Sequence, residues 1–267
     1  MSGESSRTVF LVDDRSGRIG SFVRVLAGLP RHPRWVLVGG FAVNVRIERL
    51  HRLTNDIDTV SANQTEFVEL LLQDPENASI STGRVLVGPD PQIEVDVMPS
   101  TDGEPLPKLP SDRAFALARR HALSTSEELT LHVVDLRGNT VNGAQVAVAT
   151  AASLVIMKAV ALPRRQDGSY PHKVGSDTHD LVRLALDGNL ETLAATIAAT
   201  EPELAHWVGD LLVQRFSAER DLRYSVARMR SYTRGVGIET LIPDDLELLG
   251  HLGQTVLGLI DGHQDAS

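Results

Sequence analysis

Four consecutive apolar residues, Trp35 to Val38, run directly into a pair of glycines, Gly39 and Gly40, and this junction constrains the fold more than any other stretch. A short β-branched and aromatic run without a polar break predicts a strand covered on both faces. The chain must therefore supply a layer above it and a layer below. Glycines placed directly after such a strand let the backbone turn sharply and leave N–H groups free to meet an anion where the next helix begins. The same pair also fits an ordinary tight turn. Phe41, Val45 and Leu50 recur at roughly helical spacing, which predicts a helix over 41–50. Arg46, Arg49, His51 and Arg52 fall on or just after it and create a local positive field.

The segment Leu53 to Ser61 reads LTNDIDTVS. Strand alternation puts Thr54, Asp56, Asp58 and Val60 on one face and Asn55, Ile57 and Thr59 on the other. Two carboxylates on one strand face have Cα atoms about 6.6–7 Å apart, so both side chains can converge on a hard cation or a pair of cations. Like charges this close repel and cost stability without a cation between them. The spacing equally suits a solvated strand end, where Asp is common. The metal reading demands a third carboxylate from a neighbouring strand. Gln92 to Met98 (QIEVDVM) alternates cleanly, with Glu94 and Asp96 on one face. Adjacent strands lie about 4.8 Å apart, within reach of the same ion. Asp96, the shorter side chain, is the choice over Glu94.

Taken together, the double glycine, the short basic helix, the RxTxDxD block (Arg52, Thr54, Asp56, Asp58) and the strand aspartate Asp96 resemble the DNA polymerase β-type nucleotidyltransferase superfamily. Within it, the chain is most similar to the AbiEii/MenT-like nucleotidyltransferase toxins. Lys158, Ala161, Leu162 and Arg165 match that family's KxxALxxR helix, and SDTHDL (Ser176 to Leu181) stands where the family has KDxxDL. Ser176 replaces the usual lysine, and Lys173 is a candidate to supply that charge. The resemblance covers roughly residues 35 to 185. It implies Mg²⁺ held by Asp56, Asp58 and Asp96, and a nucleoside triphosphate bound by Gly39, Gly40, Arg52, Thr54, Lys158 and Arg165. Catalysis is assigned to Asp56, Asp58, Lys158 and Asp177, the last orienting Lys158 or helping to activate an acceptor hydroxyl, with Asp180 the alternative. It further implies transfer of a nucleotide to the 3′ end of tRNA with release of pyrophosphate, a resulting block of translation, and a cognate antitoxin.

The residues themselves bound these expectations. The sequence has 267 residues, enough for one large or two modest domains. A net charge of −9 argues against non-specific nucleic-acid binding, though not against a nucleic-acid end in a locally basic cleft. The absence of cysteine excludes thiolate metal sites and fits a reducing cytoplasm. Neither a signal peptide nor a membrane span is read, so a soluble, cytoplasmic protein is expected.

The expected fold class is α/β (α+β): a nucleotidyltransferase core with a mixed sheet over 1–148, then a helical C-terminal domain over 149–267. Residues 1–14 read as a tail ending in an apolar piece (VFLV), and Ser16 as the cap of a helix over Gly17 to Leu29. A helix capped by Asn63 or Thr65 runs to Leu72, and strands are expected at Arg84–Gly88, through Asp96, and as a pair joined by Arg137-Gly138-Asn139. His132 on that pair reads as a packed or surface histidine. Lys158 stands alone in an otherwise apolar helix that Pro163 is expected to end. Such a lysine must snorkel outward or meet an anion, and facing a cleft it would neutralise triphosphate charge. A polar loop is expected from Gln166 to Gly175. Asp177 and Asp180 then open the next helix, where a cap or a dipole partner is the plainer reading. Helices follow over 191–200, 202–216, 218–232 and 244–261, with Arg220, Arg223, Arg228 and Arg230 either solvated or facing an RNA backbone. Three other functions stay open: transfer to an aminoglycoside, a catalytically silent member that only binds a partner, and a kinase-like phosphotransferase that moves phosphate without releasing pyrophosphate.

Overall fold

A computed structural model describes residues 7–13, 17–89, 91–166 and 171–264. The architecture is mixed α/β, with an eight-stranded sheet and ten helices among the described residues. The chain divides into two compact units that interleave in sequence. The first comprises Met1–Leu50, Thr54–Asp102 and Ala122–Thr150; the second comprises His51–Leu53, Gly103–His121 and Ala151–Ser267. No helix among the described residues is long and apolar enough to cross a membrane.

The first unit is built on the sheet, in the order β1-β7-β8-β2-β3-β6-β5-β4. At its centre β2 (Trp35–Val38) is buried along its whole length, as an unbroken apolar strand must be. It runs antiparallel to β3 (Asp56–Ser61), which is in turn parallel to β6 (Ile93–Pro99). The hairpin of β7 (Glu127–Val134) and β8 (Thr140–Val148) forms the other flank. On it His132 stacks against Phe10, the packed role its position on a strand suggests. Three helices cover the sheet: α1 (Arg18–Gly28) on β7 and β8, α2 (Gly39–Arg46) on β2 and β3, and α3 (Gln64–Leu71) on β3, β5 and β6. Phe22 of α1 meets Phe41 of α2 edge to face, and Trp35 stacks on Phe67 of α3. Asn63 caps α3 by accepting from the Glu66 N–H, as its position before the apolar run indicates.

Two sequence expectations for this unit need correction, one falls outside the described residues, and one strand went unread. The VFLV piece is no tail: Arg7–Val12 forms β1, an edge strand parallel to β7 with Val9 and Leu11 buried. Ser16 lies outside the described residues, and α1 starts after Gly17 without a side-chain cap. The helix after the glycines stops at Arg46 instead of Leu50. There the Arg46 guanidinium is tied to the carbonyls of Val148 and Ala149 and to Glu127, and the backbone turns through Glu48 at φ 56°. A further strand, β4 (Ala78–Ser81), has no apolar face to betray it, being exposed throughout and held by its hairpin with β5 (Arg84–Val87).

The second unit is helical. It contains most of α4 (Pro110–Ser124) and all of α5 (Ala151–Gln166), α6 (Pro171–Asp187), α7 (Leu190–Ala198), α8 (Pro202–Phe216), α9 (Glu219–Tyr232) and α10 (Pro243–Gln264). α10 packs against α6, α7, α8 and α9, and α5 packs against α6, α7 and α8. Pro163 does not end α5, which runs on to Gln166. A proline this close to a helix end removes one backbone hydrogen bond and leaves only three residues beyond it. The polar loop expected to Gly175 is also too long, because α6 already begins at Pro171, with residues 167–170 outside the described set. Within α6 the residue at 175 is a glycine for a packing reason. A Cβ there would sit 2.9 Å from the Arg228 carbonyl, so its bare backbone lets α9 approach.

Candidate functional site

In the first unit the sheet register assembles the acidic face. β3 exposes Asp56 and Asp58 in part while burying Ile57 and Thr59. On β6, Glu94 and Asp96 are partly exposed between buried Ile93, Val95 and Val97. The parallel pairing sets Asp56 opposite Glu94 and Asp58 opposite Asp96. Thr54 fixes the first of these by donating from Oγ1 to Asp56 Oδ1 at 3.0 Å. Gly39 makes room for the second. Its backbone has φ 71°, and a Cβ there would lie 1.8 Å from Asp58 Oδ2, so glycine is required both by conformation and by space. The turn between β2 and α2 thus cradles the Asp58 carboxylate. Gly40 is buried within the first turn of α2.

One basic group on this face escaped the sequence reading. Arg84 of β5 stands opposite Asp96 in the antiparallel register, its Nε 3.3 Å from Asp96 Oδ2 and its Nη1 3.4 Å from Glu94 Oε1. The signal was available, since the Arg84–Val87 strand pairs with β6 and brings its first side chain to the same face. Among the described residues no three acidic or histidine side chains converge closely enough to count as a metal cluster. The donor set nevertheless fits a hard divalent cation. Its atoms are carboxylate oxygens on one face of adjacent strands, and one carboxylate is seated in a cradle that any side chain would fill.

The second unit holds a buried ionic network. Lys158 on α5 neither snorkels nor waits for an external anion: its Nζ lies 2.7 Å from Asp177 Oδ1 and 2.8 Å from Asp180 Oδ2. Both aspartates are buried. They lie one turn apart in the middle of α6, so the expectation that they form its first turn, as cap or dipole partner, is overturned by the earlier start at Pro171. Asp177 also pairs with Arg165. Asp180 takes a bidentate grip from Arg52, Nε to Oδ1 at 2.6 Å and Nη2 to Oδ2 at 2.7 Å, and a further hydrogen bond from His51 Nε2 at 2.7 Å.

Electrostatics follow from this geometry. Burial opposes ionisation of Asp180, yet the charges of Arg52 and Lys158 outweigh it and hold the carboxyl well below the usual range. Burial likewise opposes the charge on Lys158, but Asp177 and Asp180 together keep its ammonium pKa above the ordinary value. His51 is pushed down by burial against the pull of Asp180, so it is neutral and donates through Nε2. His179, 5.1 Å from His51 ring to ring, is lowered to about 3, by burial first and then by His51. The participation of His51 was missed, because nothing in the primary spacing links position 51 to position 180.

Of the residues singled out from the sequence, Thr54, Asp56, Asp58, Asp96 and Gly39 come together in the first unit. Arg52, Lys158, Arg165, Asp177 and Asp180 come together in the second. Arg46 is not part of either grouping and serves as a strut within the first unit.

Comparison with known proteins bears on this arrangement. The family model described as "Nucleotidyl transferase AbiEii toxin, Type IV TA system" matches residues 23–230. No curated protein sequence matches the chain. Among solved structures, JHP933 from Helicobacter pylori aligns with a TM-score of 0.50 and 13% identity, over 95% of this chain and 97% of that one. An antigenic nucleotidyltransferase-like protein from Paracoccidioides brasiliensis aligns with a TM-score of 0.42 and 15% identity, over 85% of this chain and 98% of that one. At 13% identity the first likeness is one of fold alone.

Proposed function

Because the chain belongs to the AbiEii nucleotidyl transferase toxin family, we propose that this nucleotidyltransferase moves a nucleoside monophosphate from a triphosphate to a hydroxyl at the 3′ end of tRNA, and that it does so as the toxin of a toxin–antitoxin pair. The observation that carries the reading is the seating of Asp58 against the side-chain-free Gly39, in register with Asp96 and on the same strand face as Asp56.

In this reading Asp56 and Asp58 hold Mg²⁺, with Asp96 the third candidate. When bound, the ion supplies Lewis-acid neutralisation of phosphate charge. Thr54 keeps the Asp56 carboxylate oriented, and the backbone of the Gly39–Gly40 turn, at the start of α2, offers its N–H groups to phosphate oxygens. The acceptor oxygen forms its bond to the α-phosphorus, the α–β phosphoanhydride bond breaks, pyrophosphate leaves, and the hydroxyl proton passes to a base. Burial of Asp177 between Lys158 and Arg165 supports a positioning role for it over that of the base. Arg165 keeps about a third of its side chain exposed and is the member of that network left to meet a phosphate, Lys158 and Arg52 being committed to the buried aspartates. Blocked tRNA ends would halt translation, and a cognate antitoxin would restrain the activity.

The test is incubation with Mg²⁺, each α-labelled nucleoside triphosphate and total tRNA. Wild type transfers label to tRNA, while Asp56→Ala and Gly39→Ala lose at least about a hundredfold, the scale of removing a preorganised charge-stabilising element. Label appearing in an aminoglycoside and not in tRNA would overturn the acceptor. Absence of any transfer by folded wild type would overturn the enzymatic reading.

A further inference from the structure

A recess of about 690 Å³ in the helical unit, bounded by α5, α6, α8 and α9, includes none of the residues assigned above to metal, nucleotide or catalysis. Its volume falls within the range of about 300–1,000 Å³ typical of small-ligand sites. The sequence singled out Arg228 as a residue that solvent or RNA could claim, and the structure shows what surrounds it. Its guanidinium carbon lies 5.3 Å from the Tyr224 ring centre and 5.5 Å from that of Tyr232. Spacing by four residues on α9 stacks the three side chains into a ladder of flat groups. Both tyrosines are about half exposed, so the ladder is open to a further flat partner.

The α8 wall is chemically unfinished. Trp207 Nε1 is buried and has no acceptor among the described residues, a state that native interiors rarely tolerate. Among the described residues neither the Arg215 nor the Arg228 guanidinium makes an ion pair or hydrogen bond. Burial and then the like charge of Arg228 both disfavour the charge on Arg215, with Asp221 only partly opposing them. An incoming anion would relieve this repulsion. Asp210, Gln214 and Asp221 add acceptors and an amide suited to the polar edge of a ring. Two arginines against two aspartates leave the lining without net charge, which disfavours a bare polyphosphate. Flat stacking surfaces, edge-directed hydrogen-bonding groups and one strained cation instead suit a planar heterocycle carrying a single phosphate.

We propose that this recess takes one unpaired nucleotide of a single-stranded RNA, its base against the Tyr224–Arg228 plane and its phosphate on Arg215. The choice of RNA over a free nucleotide rests on the RNA acceptor proposed above; the nucleotide chemistry itself rests on the lining alone.

Binding is measured without metal or triphosphate, so that it reads out whether or not transfer occurs. Oligoadenylate and oligocytidylate of eight ribonucleotides are titrated into the full chain, and fluorescence anisotropy is followed. Emission is read in a Trp35→Phe background, which leaves Trp207 as the only tryptophan. At least one oligomer is expected to bind and to change Trp207 emission. Tyr224→Ala and Arg215→Gln, both folded by circular dichroism, should each weaken binding by at least about tenfold, the scale of one lost stacking or phosphate contact. Unchanged binding in both variants, or binding without a Trp207 response, would overturn the site. AMP or CMP binding as tightly as the oligomers would overturn the RNA assignment. Binding without transfer would sink the acceptor reading and leave the recess standing. Transfer to tRNA with no oligomer binding would do the reverse.

Discussion

The two units concentrate charge in opposite ways. On the sheet, Asp56, Asp58, Glu94 and Asp96 share one face, partly exposed, with Arg84 reaching two of them. In the helical unit, Asp177 and Asp180 are buried, and Arg52, Lys158, Arg165 and neutral His51 close around them. The first arrangement gathers several carboxylates on one partly exposed face; the second surrounds its buried carboxylates with cations. A surplus of carboxylates in fixed register costs stability and is kept where a cation is to be bound. A closed network of buried ions contributes no such readiness, and losing one member leaves the others uncompensated. The difference separates residues expected to matter for chemistry from residues expected to matter first for folding.

The sharpest break of this comparison is a pair of substitutions. Asp180→Ala strips Arg52, Lys158 and His51 of their shared acceptor and should cost about 3–5 kcal/mol in denaturant unfolding, the scale of breaking a buried ion pair from one side. Asp58→Asn, which removes one of several crowded carboxylates, should change stability by less than about 1 kcal/mol. Equal destabilisation by the two would show that the sheet carboxylates are structural after all.

A smaller effect is expected from acid. His179 has a folded pKa of about 3, against about 6.5 for an unfolded histidine. Between those values the unfolded chain binds the extra proton, so stability is fully present above about pH 6.5 and falls as the pH drops toward 3, by up to about 1.4 kcal/mol per pH unit. Burial contributes most to this shift; of the groups facing the ring, His51, Arg183 and Arg52 add to it and Asp180 opposes it. Unfolding curves from pH 7 to 4.5 should therefore be steeper for wild type than for His179→Gln. Identical slopes would mean that His179 is not held neutral by its surroundings.

How much of this was legible beforehand depended on the range of the interaction. The acidic face was readable because alternation within a strand and the spacing between strands are local rules: Asp56 with Asp58, and Asp96 one strand over, follow from a period of two. Lys158 announced itself as a lone charge in an apolar helix, and its partner Asp177 was proposed through the family's motif. The rest depended on long-range packing. Asp177 looked like a helix cap only because Gly175 and the polar residues before it disguise the first turns of α6, and position 175 is a glycine because α9 lies against it. His51 and Arg52 sit close in sequence to Asp56, yet they bond to Asp180, 129 and 128 positions away. β1 and β4 are the two edge strands of the sheet; β4 buries no side chain that could leave a pattern, and β1 buries only Val9 and Leu11.

The finest test concerns Asp96, claimed both by the proposed metal and by Arg84. The Arg84 side chain is about half exposed, and its pairing distances of 3.3 and 3.4 Å are long, so its removal should cost less than about 1 kcal/mol of stability. Its effect on cation binding is the informative quantity. If Asp96 is the third ligand, a guanidinium held against it competes with the ion. Arg84→Gln should then lower the concentration of Mn²⁺, used as a paramagnetic substitute for Mg²⁺, that half-saturates the protein, by a few fold in spin-resonance titration. If Asp96 instead serves only as the partner of Arg84, the half-saturation point should not move, and Asp96→Asn should leave it in place as well. Asp56→Ala would then weaken Mn²⁺ binding while neither of those changes did, leaving Asp56 and Asp58 to hold the ion without β6.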